Sequence, residues 1–259
     1  DAPSIVFAGG EGSGKSFVSA LWAFTLALTD PAIRLVWIVG EDFEDARREM
    51  DYIIGGADCE GFAVQLGVLD RDGSTISTHS DQKVSAHIYA PATLYEPALD
   101  IQVTTVSGYD WRKIGRDQPD IIVGSEISRW DVELWRRCQG RLARLKHARG
   151  MFSGSFETSE GWFPEVYSLG QAANTQGVTS FSVPSEANRT LYPLGAEDPA
   201  IVRLRQSMSA ERFLARHSGK PSAPKDAVFP EFKALLHVQP VQYVAGYPVY
   251  VFIDPGTKV

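Results

Sequence analysis

The chain has little of what marks a secreted, metal-stapled or membrane-spanning protein. Two cysteines in 259 residues, Cys59 and Cys138, are far apart and have no metal-ligand spacing. That argues against a disulfide framework and a zinc site, and both read as core thiols. No apolar run approaches the ~20 residues of a membrane helix, and no charged start leads into an apolar signal segment. The expectation is a soluble, intracellular protein without a membrane partner. Basic charge is not in excess either. Lys and Arg number 25 against 32 Asp and Glu, a net charge of −7, which argues against nucleic acid coated by the whole surface but leaves room for one basic face. The first residue is Asp1, not Met, and the sequence stops at Val259, just after an apolar strand pattern. We therefore expect a piece of something longer.

What is present is ordinary globular composition, 44% hydrophobic and 22% charged. The length suffices for one large α/β domain, or for a domain and a fragment of a second.

The strongest local signal is Gly9, Gly10, Glu11, Gly12, Ser13, Gly14, Lys15, Ser16, which fits the P-loop pattern of Gly, four residues, Gly, Lys, Ser. It follows the apolar run Ser4 to Ala8 and precedes a long apolar helix pattern. A strand delivers the chain, glycines let backbone N–H groups crowd around a polyphosphate, and the helix N-terminus adds partial positive charge. In this reading Lys15 reaches the β and γ phosphates of ATP, and Ser16 places its hydroxyl on Mg²⁺.

Leu21 to Leu28 continues that helix, and Asp30-Pro31 stops it. Ile33 to Val39 reads as a buried parallel strand, completing a βαβ unit. Phe43 to Ile54 resumes helical spacing, with acidic residues in its first turn. Phe62 to Leu69 and Thr75 to Thr78 read as a hairpin around Arg71-Asp72-Gly73, followed by short strands at His87 to Ala90 and Ile101 to Val106. Ile121 to Val123 is another apolar strand, ending in Gly124-Ser125-Glu126. In P-loop hydrolases a strand neighbouring the P-loop strand carries at its tip an Asp for the metal and often a Glu that activates water. Glu126 fills the second position and Ser125 the first, so Ser125 is expected to reach Mg²⁺ only through a water. Glu126 also reads as a helix-start acid.

Arg136 to Arg149 packs basic residues onto an amphipathic helix and its exit. It is either a basic face for phosphates or a solvated face with Leu142 and Leu145 inward. Met151 to Ser155 reads as a strand closed by a polar cluster, Trp162 to Leu169 as a helix, Val178 to Val183 as a strand, and Ala200 to Arg216 as one helix. Residues 219–224 have linker composition, and Pro248 to Ile253 reads as a strand ending in Asp254-Pro255-Gly256.

In this order the motifs resemble the ATPase domain of the large terminase subunit, the motor that packages double-stranded DNA into viral capsids. The resemblance rests on GGEGSGKS, DIIVGSE, GSFETSEGWFPEVYSLGQ, and the tail VFPEFKALLHV followed by YVFIDPG. It implies that Ser155 and Thr158 belong to a coupling motif near the γ-phosphate. Asp254 would be the first metal carboxylate of an RNase H-like nuclease domain, with no cutting expected from this stretch alone. Arg116 matches an arginine finger given to a neighbouring subunit, with Arg112 as the alternative. The resemblance also implies a homo-oligomeric ring, a capsid portal and a small terminase subunit as partners, and the host cytoplasm as location. Two positions depart from the pattern: Ser125 replaces Asp, and Glu11 stands where an Arg is common. The overall expectation is an α/β P-loop NTPase with a mainly parallel central sheet over residues 1–218, and a linker with the first strand of a second domain over 219–259. A helicase or recombinase-like ATPase and a nucleotide-gated assembly module are the alternatives.

Overall fold

A computed structural model describes residues 3–69, 73–79, 82–90, 98–109, 117–157, 161–171 and 177–221. By internal contacts the chain divides into Asp1–Pro224 and Lys225–Val259, and every described residue belongs to the first unit. The predicted strand Pro248 to Ile253, with Asp254, lies outside the described residues.

An eight-stranded sheet organises this unit, in the order β3-β4-β5-β2-β6-β7-β1-β8. Its strands are β1 (Ser4–Gly9), β2 (Leu35–Gly40), β3 (Thr75–Thr78), β4 (Val84–Ala90), β5 (Leu99–Ser107), β6 (Ile121–Gly124), β7 (Arg149–Gly154) and β8 (Val178–Val183). From β5 to β8 all neighbours run parallel. Only β3 and β4 join antiparallel, at one edge. The central strands are apolar almost throughout because helices cover both faces of a parallel sheet, so Val6, Ile38, Ile121 and Ile122 are wholly buried. Next to the edge strand, β4 instead alternates buried with half-buried residues.

The helices are α1 (Lys15–Thr29), α2 (Phe43–Ile54), α3 (Phe62–Gln65), α4 (Val132–Leu142), α5 (Trp162–Gln171), α6 (Pro199–Ser207) and α7 (Ala210–His217). Among the described residues none is long and apolar enough to cross a membrane. In α2, Asp42 caps the first turn by accepting from Asp45 N, and Ala46, Glu49, Met50 and Ile53 form the buried stripe. In α4, Leu134, Trp135, Cys138 and Leu142 face inward, while Arg136, Arg137 and Arg144 are exposed. The basic residues thus form the outer side of this helix and its exit.

Four expectations change. The run Phe62 to Leu69 is no hairpin strand: its start is the short helix α3, and Leu66 is exposed. β3 pairs with β4 instead. The single helix over Ala200 to Arg216 is two, because Met208 is extended and Ser209 caps α7 by accepting from Arg212 N. β6 does not adjoin the P-loop strand, since β7 lies between them. Lastly, Cys59 is half-buried, its thiol donating to Asp51 O, whereas Cys138 is fully buried.

Candidate functional site

All the parallel strands end on one edge of the sheet, and the candidate residues gather there as the topology requires. From β1 the chain enters the loop of residues 10–14. Gly12 and Gly14 take φ of 74° and 93°, a left-handed conformation that side-chain-bearing residues rarely adopt. Close approach explains the other two glycines. A Cβ at Gly10 would fall 2.2 Å from His217 O, and one at Gly9 would fall 2.6 Å from Ser13 Oγ. No side chain caps the start of α1, which leaves its first N–H groups to an anion.

Later segments clamp the loop from outside. Gly10 N donates to Val183 O at 3.0 Å and Glu11 N to Arg216 O at 2.7 Å. Ser185 Oγ donates to Glu11 O at 2.6 Å, and Asn188 Nδ2 to Gly12 O at 2.7 Å. Nothing in local spacing marks Ser185 or Asn188, which are about 170 residues from the loop in the chain.

Lys15 is almost fully buried. Its ammonium donates to Gly9 O and Gly10 O at 3.3 Å each and to Ser155 Oγ at 3.0 Å, and lies 3.9 Å from Glu126 Oε1. Burial lowers its pKa, opposed chiefly by Glu126. Ser155, just past β7, also donates to Gly9 O at 2.9 Å. Because β7 separates β1 from β6, Ser155 stands between the P-loop and the strand that carries Glu126. Its predicted companion Thr158 lies outside the described residues.

Glu126 has φ 47° and ψ 47°. It is one of two described non-glycine residues at positive φ, and such strain is characteristic of functional positions. The preceding residue is fixed on both sides: Ser125 N donates to Val39 O, and Trp130 Nε1 donates to Ser125 O at 3.0 Å. The Ser125 hydroxyl donates to Glu49 Oε1 at 2.9 Å. Glu49 is wholly buried, and burial pushes its carboxyl up to about 7 against the opposing pull of the Ser16 and Ser125 hydroxyls. Its second oxygen, Oε2, has no hydrogen-bond partner. An orphaned buried acceptor costs about 1–3 kcal/mol, so a wholly structural role for Glu49 is an expensive one.

These groups fit a Mg²⁺ ion. Ser16 and Ser125 line one cleft, and the Ser125 hydroxyl is bonded to a buried carboxylate with an unpartnered oxygen. Among the described residues no three His, Cys, Asp or Glu surround a metal position, so remaining ligands would come from phosphate and water, the usual arrangement for Mg²⁺.

A cleft of about 370 Å³ runs past Ser16, Ser125, Glu126 and Ser155, and an adjoining one of about 670 Å³ runs past Lys15, Phe17, Tyr52 and Asn188. Both are of ligand size. Three arginines reach the first cleft. Arg216 pairs with Glu11 at 3.1 Å. Arg129 lies 3.4 Å from Glu157 and 3.7 Å from Asp45. The third, Arg48, lines both clefts. No motif in the sequence marks any of the three. The finger candidates that the motifs do suggest, Arg116 and Arg112, lie outside the described residues.

A loop between strand and helix, a buried lysine, and a carboxylate two strands away thus gather at one edge of a mostly parallel α/β sheet. No protein-family model matches the sequence, and no curated protein matches it. Solved structures do. The chain is similar to the large terminase ATPase domain of Thermus phage P74-26, with a TM-score of 0.63 at 12% identity, over 85% of this chain and 89% of that one. It is also similar to the large terminase of a second thermophilic bacteriophage in complex with ADP and with ATP-γ-S, with a TM-score of 0.59 at 13% identity in each case. Those matches cover 86% of this chain, which spans about half of the second phage's protein. At such identities the likeness is one of fold, and it agrees with the resemblance drawn from the motifs.

Proposed function

We propose that this domain hydrolyses ATP and that hydrolysis drives double-stranded DNA into a viral capsid. The observation that carries the reading is the contact of Ser155 with both Lys15 and the P-loop, beside Glu126. One polar group per strand tip then meets a bound polyphosphate: Lys15 beyond β1, Ser155 beyond β7 and Glu126 beyond β6. Lys15 holds the β and γ phosphates, Glu126 orients a water and accepts its proton, and Ser155 carries the change at the γ-phosphate into β7. Mg²⁺, when bound, would neutralise charge on the phosphate oxygens, held by Ser16 directly and by Ser125 through a water. The complexes of the second phage's terminase with ADP and ATP-γ-S support nucleotide as the ligand. In this reading the partners are duplex DNA, a capsid portal, a small terminase subunit and further copies of this chain in a ring, all in the host cytoplasm.

The test is ATP turnover by the purified chain with duplex DNA, with single-stranded DNA and with neither. Stimulation by duplex alone is the expected result, and stimulation by single strands alone would favour the helicase or recombinase class. The assembly-module reading draws on one specific observation, the serine at position 125 where a metal carboxylate is expected. Nucleotide binding without turnover at every Mg²⁺ concentration would favour it.

A further inference from the structure

We propose that Glu49, from the middle of α2, supplies the carboxylate that a Mg²⁺–nucleotide complex needs at this site, in place of an acidic residue at position 125. The inference rests on the nucleotide reading above and adds to it a residue outside the strand-tip motif.

The geometry carries it. Ser125 occupies the tip of β6, where a metal-facing carboxylate is expected, and its hydroxyl donates at 2.9 Å to Glu49 Oε1. The carboxylate thus stands one hydrogen bond beyond the position that lacks it. Ser16, the P-loop residue that would touch the metal, lines the same cleft as Ser125. Glu49 is wholly buried, and its Oε2 is left without a partner. On the stripe Ala46, Met50 and Ile53 every other member is apolar, and a glutamate there is unfavourable unless something meets its charge. Lys15 meets it only through space. Its ammonium hydrogen bonds go to Gly9, Gly10 and Ser155, and its nearest carboxylate is Glu126. Glu49 itself lines neither cleft, so its charge reaches a divalent cation beside Ser16 through the Ser125 hydroxyl that lines the first one. The acidic charge is then kept while its source moves from a strand tip to a neighbouring helix, with Ser125 holding the new carboxylate in orientation.

Mn²⁺ is the probe, since electron paramagnetic resonance counts it bound and free. Mn²⁺ affinity is measured on the chain with ATP-γ-S, and ATP-γ-S affinity is measured separately in EDTA. Glu49→Gln should weaken Mn²⁺ binding to the nucleotide complex ~10–100-fold, the range found when groups supporting a metal's ligands are removed, and leave ATP-γ-S affinity in EDTA unchanged. Glu49→Gln combined with Ser125→Asp returns a carboxylate across the same hydrogen bond and should recover most of the loss. Wild-type Mn²⁺ affinity in Glu49→Gln would overturn the assignment. If Glu49→Gln does not fold, Glu49→Asp decides: it keeps the charge but withdraws it by a methylene, so weaker Mn²⁺ binding supports the assignment and unchanged binding overturns it. A wild-type chain that binds no ATP-γ-S, with or without metal, overturns the nucleotide reading itself. A wild type that binds it, beside a variant indifferent to Mn²⁺, overturns only the role of Glu49.

Discussion

Arg216 Nη1 lies 3.1 Å from Glu11 Oε1, joining the last turn of α7 to the P-loop across 205 residues of chain. The same two residues share a backbone bond, Glu11 N to Arg216 O at 2.7 Å. Glu11 stands where the terminase pattern commonly has an arginine, and Arg216 restores a guanidinium beside that position. Arg216→Ala should lower ATP turnover by roughly tenfold or more, as loss of a phosphate-facing donor does, and should barely move the melting temperature. Exposed ion pairs are worth only ~0–1 kcal/mol, so unchanged turnover would reduce Arg216 to such a pair.

Lys15→Ala should abolish turnover. Its ammonium touches loop carbonyls, Ser155 and Glu126, not the hydrophobic core, so the circular dichroism spectrum should remain that of the wild type. Turnover near the wild-type rate would remove the P-loop from the mechanism.

Glu126 allows stability and turnover to be separated. Glu126→Gln should slow turnover ~10²-fold or more, within the range of general-base catalysis, with ATP affinity kept. Glu126→Gly should be equally inactive but more stable by about 1 kcal/mol, because glycine relieves the left-handed backbone that Glu126 adopts. A Glu126→Gly chain no more stable than Glu126→Gln would mean that the strain is absent in solution. Normal turnover in Glu126→Gln would shift the water-orienting role to Glu157, which lines the same cleft.

How much of this site the sequence discloses depends on how far apart its parts lie. Lys15, Ser16 and Glu126 are legible because each follows an apolar strand within a contiguous pattern, and a parallel sheet brings strand tips to one edge. Ser185, Asn188 and Arg216 are not, since only the return of α7 and β8 places them on the loop. Glu49 leaves a fainter trace: α2 reads correctly from Phe43 to Ile54, yet one member of its apolar stripe is acidic. The hairpin expected over residues 62–78 fails because apolar content does not by itself mean burial. Gly55 at φ 96° ends α2, Gly61 opens the short helix α3, and Leu66 stays in solvent. The break between α6 and α7 escapes the helical periodicity, and the signal that marks it is Ser209, a good capping residue inside an otherwise helical run.

The last prediction concerns which subunit provides the positive charge that the transferred phosphoryl group needs. The first cleft is acidic on balance: Glu11, Glu44, Asp45, Glu126 and Glu157 line it against three arginines. Two of those arginines already have carboxylate partners, Arg216 with Glu11 and Arg129 with Glu157 and Asp45. Even with Arg216 turned to the phosphates, five carboxylates outnumber three arginines in this cleft, and we expect further cationic charge from outside the domain, in addition to a metal ion. We therefore expect an isolated subunit to hydrolyse ATP slowly, with turnover rising more than linearly with protein concentration as a ring forms. The arginine that a neighbour would contribute is Arg116, with Arg112 as the alternative, and an added finger is worth ~10³–10⁵ in rate. Arg116→Ala should flatten the concentration dependence while sparing ATP affinity. Mixing it with Glu126→Gln should restore part of the turnover, because an Arg116→Ala subunit keeps its own Glu126 and receives the arginine of its Glu126→Gln neighbour. Turnover per subunit that is constant across concentrations, in a sample shown by light scattering to pass from monomer to oligomer, would place the charge on Arg129 or Arg216 of the same chain.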